Sequence, residues 1–154
     1  MSMEPTRQLD RRMVKVWRTQ EAIGLAVTVA VAAVLCALAQ EVWLAVVCAA
    51  VILVQLACLI VLPKIRYRRW RYEVTNTDVL IRSGLIVVTT SIIPMVRVQH
   101  VETTQGPVLK HYGLASVTIT TAGSSFEIPG LASHEAEVLR DQVAVLARIA
   151  QEDV

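Results

Sequence analysis

His100 and Glu102 stand two residues apart in the run VRVQHVETT, and His111 follows nine residues later. On an extended strand, positions two apart point to the same face. A histidine and a carboxylate on one face could supply two ligands to a metal or form an acid–base pair. A closed zinc site needs four ligands, and a catalytic one needs three and an open position. Beyond His111, nothing close by completes the set. Cys36, Cys48 and Cys58 all lie in apolar runs far upstream. An H-x-E of the deaminase type needs a downstream P-C-x-x-C, which is absent. No nucleophile motif, glycine-rich phosphate loop or Ser–His–Asp arrangement accompanies the pair. The sequence therefore predicts no metal site, no cofactor and no catalytic residue, and it reads His100 as a hydrogen-bonded, partly buried strand residue.

The neighbouring residues read as mechanics. Pro107 suits the first position of a helix, and Gly113 can adopt the left-handed conformation that ends one. PVLKHY is then a corner of one or two turns, with Lys110 and His111 outward and Val108, Leu109 or Tyr112 tucked in. In the preceding strand, Val96, Val98, His100 and Glu102 are expected on one face, with Arg97, Gln99, Val101 and Thr103 on the other. Arg97, Gln99, Lys110 and His111 are thus the candidates for a docking surface.

The elements that carry these residues fall into two classes. The chain has 154 residues, of which 55% are hydrophobic, and its mean hydropathy is +0.53. Such apolarity exceeds that of an ordinary soluble domain, and it is concentrated between Ala22 and Leu62. Residues 22–39 and 42–62 carry no charge, and each is close to the ~20 residues that cross a bilayer core. Only Gln40 and Glu41 separate them, so they must form a tight hairpin with both outer ends on one side. Arg7, Arg11, Arg12, Lys15 and Arg18 precede the first span. Lys64, Arg66, Arg68, Arg69 and Arg71 follow the second, and the turn has no Lys or Arg. The positive-inside rule places both termini in the cytoplasm, with a two-span topology and the Gln40–Glu41 turn outside. Two apolar runs with basic flanks argue against buried core helices. The acids in the leading segment and the second span that follows at once argue against a cleaved signal peptide, although Ala37-Leu38-Ala39 imitates a cleavage site.

Several smaller expectations follow. Trp17, Trp43, Tyr67 and Trp70 lie near the span boundaries, where aromatic rings are favoured. Ala22, Ala26, Ala30 and Ala37 mark a small-residue stripe on the first span, and Ala45 and Ala49 another on the second. Such stripes suit packing within the hairpin or against a partner's helices. Gln55 would be costly facing lipid and should point at a helix. The cysteines behave as small apolar residues. Within residues 1–21, Leu9, Met13, Val16 and Trp17 recur at helical spacing among basic residues. That pattern reads either as an amphipathic helix lying in the bilayer interface or as a bare topology signal.

After Pro63 the periodicity changes to alternation, and residues 64–154 read as one cytoplasmic domain. Strands are expected from Trp70 to about Thr75, over VLIRS to Gly84, from about Leu85 to Ile93, from Val96, over ASVTITT from Ala115, and over SFEIP. Pro94 should end a strand. A final helix begins near Ser133 as N-cap, with Leu139, Val143, Leu146 and Ala150 as its apolar stripe. Six or seven short strands and one terminal helix indicate an antiparallel barrel or sandwich with a helix closing one end.

The runs WRYEVTNTDVLIRSGLI and SIIPMVRVQHVETTQGPVLKHYGLASVTITTAG, followed by IPGL and EAEVLRDQV, resemble the bacterial PH-like domain family of YdbS-like membrane proteins. The most specific parts are IIPM-x-RVQHVE, QGP, the GLA before the strand, and TAG followed by IPGL. The resemblance spans about residues 64–145 and extends to the preceding hairpin. It implies a pleckstrin-homology-like barrel capped by a C-terminal helix, and it implies occurrence beside a longer relative with repeated PH-like domains. It implies no enzymatic activity.

Fold alone does not license phosphoinositide binding. The first hairpin loop, Asn76-Thr77-Asp78, has none of the Lys and Arg that phosphates demand, and the basic cluster at Lys64 to Arg71 is already accounted for by topology and anionic lipid. The expectation is a non-catalytic protein-interaction or assembly module at the membrane face. Its partners are the bilayer and either a membrane protein, such as a longer PH-like protein, or a second copy of itself. Nucleic acid is not expected as a partner. The alternative is a lipid-binding or lipid-handling module.

Overall fold

The computed structural model describes residues 4–154. Two long helices, α1 (Arg12–Ala39) and α2 (Val42–Arg69), form the hairpin. Gln40 closes α1 in a left-handed conformation (φ 52°), and its N–H donates to the Cys36 carbonyl at 3.1 Å. The more shielded positions form a seam, with Leu25, Thr28, Ala32 and Cys36 on α1 and Leu44, Cys48, Ile52, Gln55 and Leu59 on α2. Val27 and Val54 face outward, as lipid-facing residues would. Gln55 points at the other helix, as expected, and its Nε2 donates to Thr28 Oγ1 at 3.2 Å. The alanines Ala22, Ala26, Ala30 and Ala37 are exposed, so this stripe is not the hairpin seam.

Two sequence expectations about the ends of the spans change. Helix α2 does not give way to extended chain after Pro63 but runs through it to Arg69. Proline forfeits one helical hydrogen bond, a loss that membrane helices tolerate. Arg66, Arg68 and Arg69 then sit in the last turn, where cations complement the helix dipole. At the start of α1, the apolar face of Leu9, Met13, Val16 and Trp17 does not lie in the bilayer interface. All four side chains are buried in the same cluster as Val79, Ile119, Ile128 and Val143. The reason is competition for apolar surface. The domain leaves part of its core uncovered, and burial there removes the side chains from water as fully as lipid would. Trp70 is buried with them and Tyr67 packs against the cluster, so of the four boundary aromatics only Trp43 is exposed.

The domain is built from β1 (Arg71–Val74), β2 (Asp78–Gly84), β3 (Val88–Pro94), β4 (Val98–Thr104), the short helix α3 (Pro107–His111), β5 (Leu114–Thr121), β6 (Ser125–Ala132) and α4 (Ser133–Glu152). The strands form two antiparallel three-stranded sheets, ordered β1-β2-β3 and β4-β5-β6. A 3-10 turn, Met95–Arg97, carries the chain from one sheet to the other after Pro94. The strand expected from Val96 accordingly starts at Val98. The sheets do not close into a continuous barrel. The free edge of β1 is partly occupied by the N-terminal segment. Arg7 N–H donates to the Tyr72 carbonyl (3.1 Å), and Tyr72 N–H donates to the Arg7 carbonyl (2.9 Å).

Helix α4 buries Ala136, Leu139, Val143 and Ala147 against the second sheet and the 3-10 turn. Its expected cap is different. Ser133 is the first helical residue, not the N-cap. Its hydroxyl is turned away from the helix and donates to the Gly113 carbonyl at 3.1 Å. Gly113 holds the expected left-handed conformation (φ 67°) after α3. Tyr112, beside it, shares a hydrogen bond with Thr19 of α1 (2.9 Å between the hydroxyls).

Candidate functional site

The β1–β2 and β2–β3 registers orient the domain relative to the bilayer. Strand β1 leaves the end of α2 at Trp70, and Arg71 pairs with Arg82, while Val74 pairs with Val79 at the other end. The Arg71–Arg82 end of the sheet therefore lies beside the membrane helices, and the Thr75–Asp78 turn lies away from them. Asp78 pairs with Pro94, which puts the 3-10 turn at the far end as well.

At that far end is an open groove of about 840 Å³, running between the end of β3, the 3-10 turn and the β5–β6 turn. Ile92, Val96 and Phe126 supply its apolar wall, and Arg97, Gln99 and Gln151 its polar one. Ile92 is 64% exposed and Val96 43%. Gln151 fixes the floor by donating from Nε2 to the Val98 carbonyl at 2.8 Å. Of the four candidate docking residues, the groove gathers Arg97 and Gln99. Lys110 and His111 are exposed on α3, at the opposite end of β4, next to the start of α1.

The geometry of β4 departs from simple alternation. The β4–β5 register slips between Val98 and His100, so Gln99 is an extra, bulged residue. Val98 and Val101 both turn toward the core, and His100 and Glu102 both turn out. Val98 does not share a face with His100, and His100 is not partly buried. His100 is exposed on the sheet's outer face, with Nε2 3.4 Å from Glu102 Oε2. The pair has a half-open solvent environment with no third ligand. Among the described residues no three His, Cys, Asp or Glu side chains gather around a common point. His111 instead packs edge-on against Tyr112, with ring centroids 5.1 Å apart.

The basic residues flanking the second span divide by task. Lys64 is exposed. Arg66 lies over the Trp17 ring at 4.7 Å from its centroid, pinning α2 to the start of α1. Arg69 donates to the Leu85 carbonyl, and Arg71 to the Trp70 carbonyl at 3.0 Å. Arg68, Arg69 and Arg71 then line a cleft of about 560 Å³ with a residue the sequence did not single out, Arg82. The signal for it was present in the hairpin. Pairing Trp70–Thr75 with VLIRS across a tight turn places the two arginines opposite one another.

At the start of α1, Asp10 accepts from the Arg12 backbone N–H (2.9 Å) and from its guanidinium (3.1 Å). The Arg12 side-chain hydrogen bond holds the Asp10 carboxyl below its ordinary pKa, against a smaller opposing effect of burial. Arg12 also donates to the Tyr112 carbonyl at 2.9 Å, tying α3 to α1. Burial pushes the Tyr72 phenol above its ordinary value.

A family model described as "Bacterial PH domain" matches residues 22–147, covering α1 from Ala22, all of α2 and nearly all of the domain. The chain belongs to the bacterial PH domain family. It is similar along its whole length to the UPF0699 transmembrane protein YdbS of Bacillus subtilis (strain 168), at 43% identity over 159 residues and with all of both chains covered. No solved structure matches. A transmembrane relative matched along the whole chain and two membrane-capable helices make this bacterial PH domain protein a membrane protein. Its family resemblance bears out the PH-like layout of two antiparallel sheets and a C-terminal helix.

Proposed function

We propose that the chain is a non-catalytic docking module of the bacterial inner membrane, with both termini cytoplasmic and its PH-like domain receiving a segment of a partner membrane protein. The observation that carries this reading is the groove facing away from the bilayer, with exposed Ile92 and Val96 beside Arg97 and Gln99. Apolar anchors rimmed by adaptable polar groups are the composition of a protein-binding surface. Among the described residues β3 pairs only with β2, and β4 only with β5, so each sheet leaves a strand edge unpaired near the groove. An extended partner segment can add to such an edge through its main chain.

Two further observations support this reading, one for a membrane partner and one for the placement of the domain. The exposed Ala22, Ala26, Ala30 and Ala37 stripe faces away from the hairpin and could admit a second helix closely. The basic flanks and uncharged turn support the cytoplasmic placement of the domain. Its docking onto α1 holds the groove at a fixed orientation, so a partner in the same bilayer would meet it repeatedly.

The test is affinity capture of the full chain after mild detergent extraction, alongside an Ile92→Asp/Val96→Asp variant. The reading expects a defined membrane-protein partner that the wild type retains and the variant loses. Recovery of both proteins alone, or equal retention of the same partner, would count against it.

A further inference from the structure

We infer that the arginine cleft at the bilayer end of the domain binds the phosphate of an anionic phospholipid headgroup, with the β2–β3 tip as an apolar anchor beside it. This site is separate from the groove of the docking reading and lies at the other end of the sheet.

The charge arrangement comes first. Arg71 and Arg82 are direct cross-strand partners, and like charges placed opposite one another destabilise a sheet. Arg68 and Arg69 from the last turn of α2 face the same cleft. Against four guanidinium groups the cleft holds one carboxylate. Glu4 approaches Arg82 only to 3.9 Å and is itself largely exposed. Clustered arginines with so little compensation are matched by an anion, and the planar guanidinium pairs with phosphate oxygens through two parallel hydrogen bonds.

Position selects the source of the phosphate. Arg69 lies about 10 Å along the helix past Leu62, at ~1.5 Å per residue. The headgroup region adds roughly 5–7 Å outside each side of the hydrocarbon core, within reach of the long arginine side chains above it. The second element is the β2–β3 tip. Arg69 holds this tip against α2 through the Leu85 carbonyl. Ile86 is 90% exposed and Val87 75%, the most exposed aliphatic pair in the domain's hairpins. An aliphatic tip presented to water has no stabilising partner, whereas at the edge of a bilayer it has one. Cationic cleft and apolar tip thus meet the two layers of a lipid surface at the depths where each belongs. The first hairpin loop, Asn76–Asp78, is at the far end of the sheet and takes no part.

The experiment uses the full chain in neutral detergent micelles at 0.5 M salt, where diffuse attraction is screened. The reading is the shift in thermal unfolding midpoint on titrating phosphatidylglycerol, with inorganic phosphate as a parallel arm. A saturable upward shift is expected with phosphatidylglycerol, and none with inorganic phosphate at the same concentration. Arg82→Gln and Arg68→Gln should each raise the half-saturating lipid concentration about tenfold, as expected for one lost charge-assisted contact, and Ile86→Asp should raise it too. Lys110→Gln, outside the cleft, should leave it unchanged. Arg68 is on an exposed helix turn, so its variant keeps the test sound should Arg82→Gln fold poorly. Half-saturation within twofold of wild type in both arginine variants would overturn the site. An equal shift with inorganic phosphate would overturn the lipid as its ligand.

Discussion

Met13 packs over Gly130 so closely that a Cβ built on the glycine would lie 2.5 Å from Met13 Cγ. Gly130 adopts a left-handed conformation (φ 71°) at the irregularity where β5 and β6 slip register, and its carbonyl accepts from the Asp10 N–H at 2.9 Å. The glycine therefore provides the seat for the first turn of the first membrane helix. Membrane anchor and domain are joined by a packed interface rather than by a tether.

Gly130→Ala should strain the backbone and displace Met13 together. A left-handed non-glycine residue costs about 1–2 kcal/mol and overpacking about 1–3 kcal/mol, so a loss of roughly 2–5 kcal/mol is expected. Thermal or denaturant unfolding of the full chain in detergent measures it. A Gly123→Ala control, at a position with nothing within 4 Å of a new Cβ, should change little.

A fragment of residues 72–154 should fail to fold cooperatively. It lacks Leu9, Met13, Val16, Trp17 and Trp70, all buried in the common core. Trp17→Ala in the full chain should by itself cost about 3–5 kcal/mol, the range for removing a large core aromatic. A sharp unfolding transition for the fragment, with dispersed amide resonances, would show instead that the domain core is complete without α1.

The interface also carries a pH signature. The folded-state pKa of Asp10 is lowered by Arg12, so its contribution is fully present above the unfolded carboxylate value, about 4. It is lost as pH falls through the lower folded value. Asp10→Asn should be less stable than wild type by a constant margin from pH 5 to 8, and that margin should shrink below about pH 4. Paired unfolding curves across this range check it.

Inside the bilayer, Gln55 donates to Thr28, while its Oε1 is buried with no partner. Interhelical hydrogen bonds in membranes average about 0.6 kcal/mol. Gln55→Leu should therefore alter hairpin stability by no more than about 1 kcal/mol, as measured by unfolding in mixed micelles.

Much of this architecture was legible in the residues. Length and charge exposed both spans, alternation exposed most strands, and Pro107 and Gly113 marked the α3 corner. Three features were not legible from local pattern. The face of Leu9, Met13, Val16 and Trp17 has the composition of an interfacial helix, and only the gap in the domain core decides where it is buried. The Gln99 bulge turns His100 outward, and nothing in VRVQHVETT announces an extra residue. Pro63 reads as a helix end, yet the membrane helix absorbs it. The arginine cleft was half visible, since Lys64 to Arg71 stood out as a cluster, while Arg82 required the β1–β2 register. For the groove, alternation pointed outward at Arg97 and Gln99, but Arg97 lies in the 3-10 turn and Gln99 at the bulge, and Ile92, Val96 and Phe126 come together only through the turn between sheets.

The docking reading stands or falls on what touches the groove in an intact membrane. A photo-crosslinking amino acid placed at Gln99, and separately at Ile92, in the full chain should give one discrete adduct with the same membrane protein from both positions. Neither a Glu137 probe on the exposed face of α4 nor a Gln99 probe carrying Val96→Asp should give that adduct. Adducts absent at both groove positions, or equally strong from Glu137, would contradict a partner-binding groove.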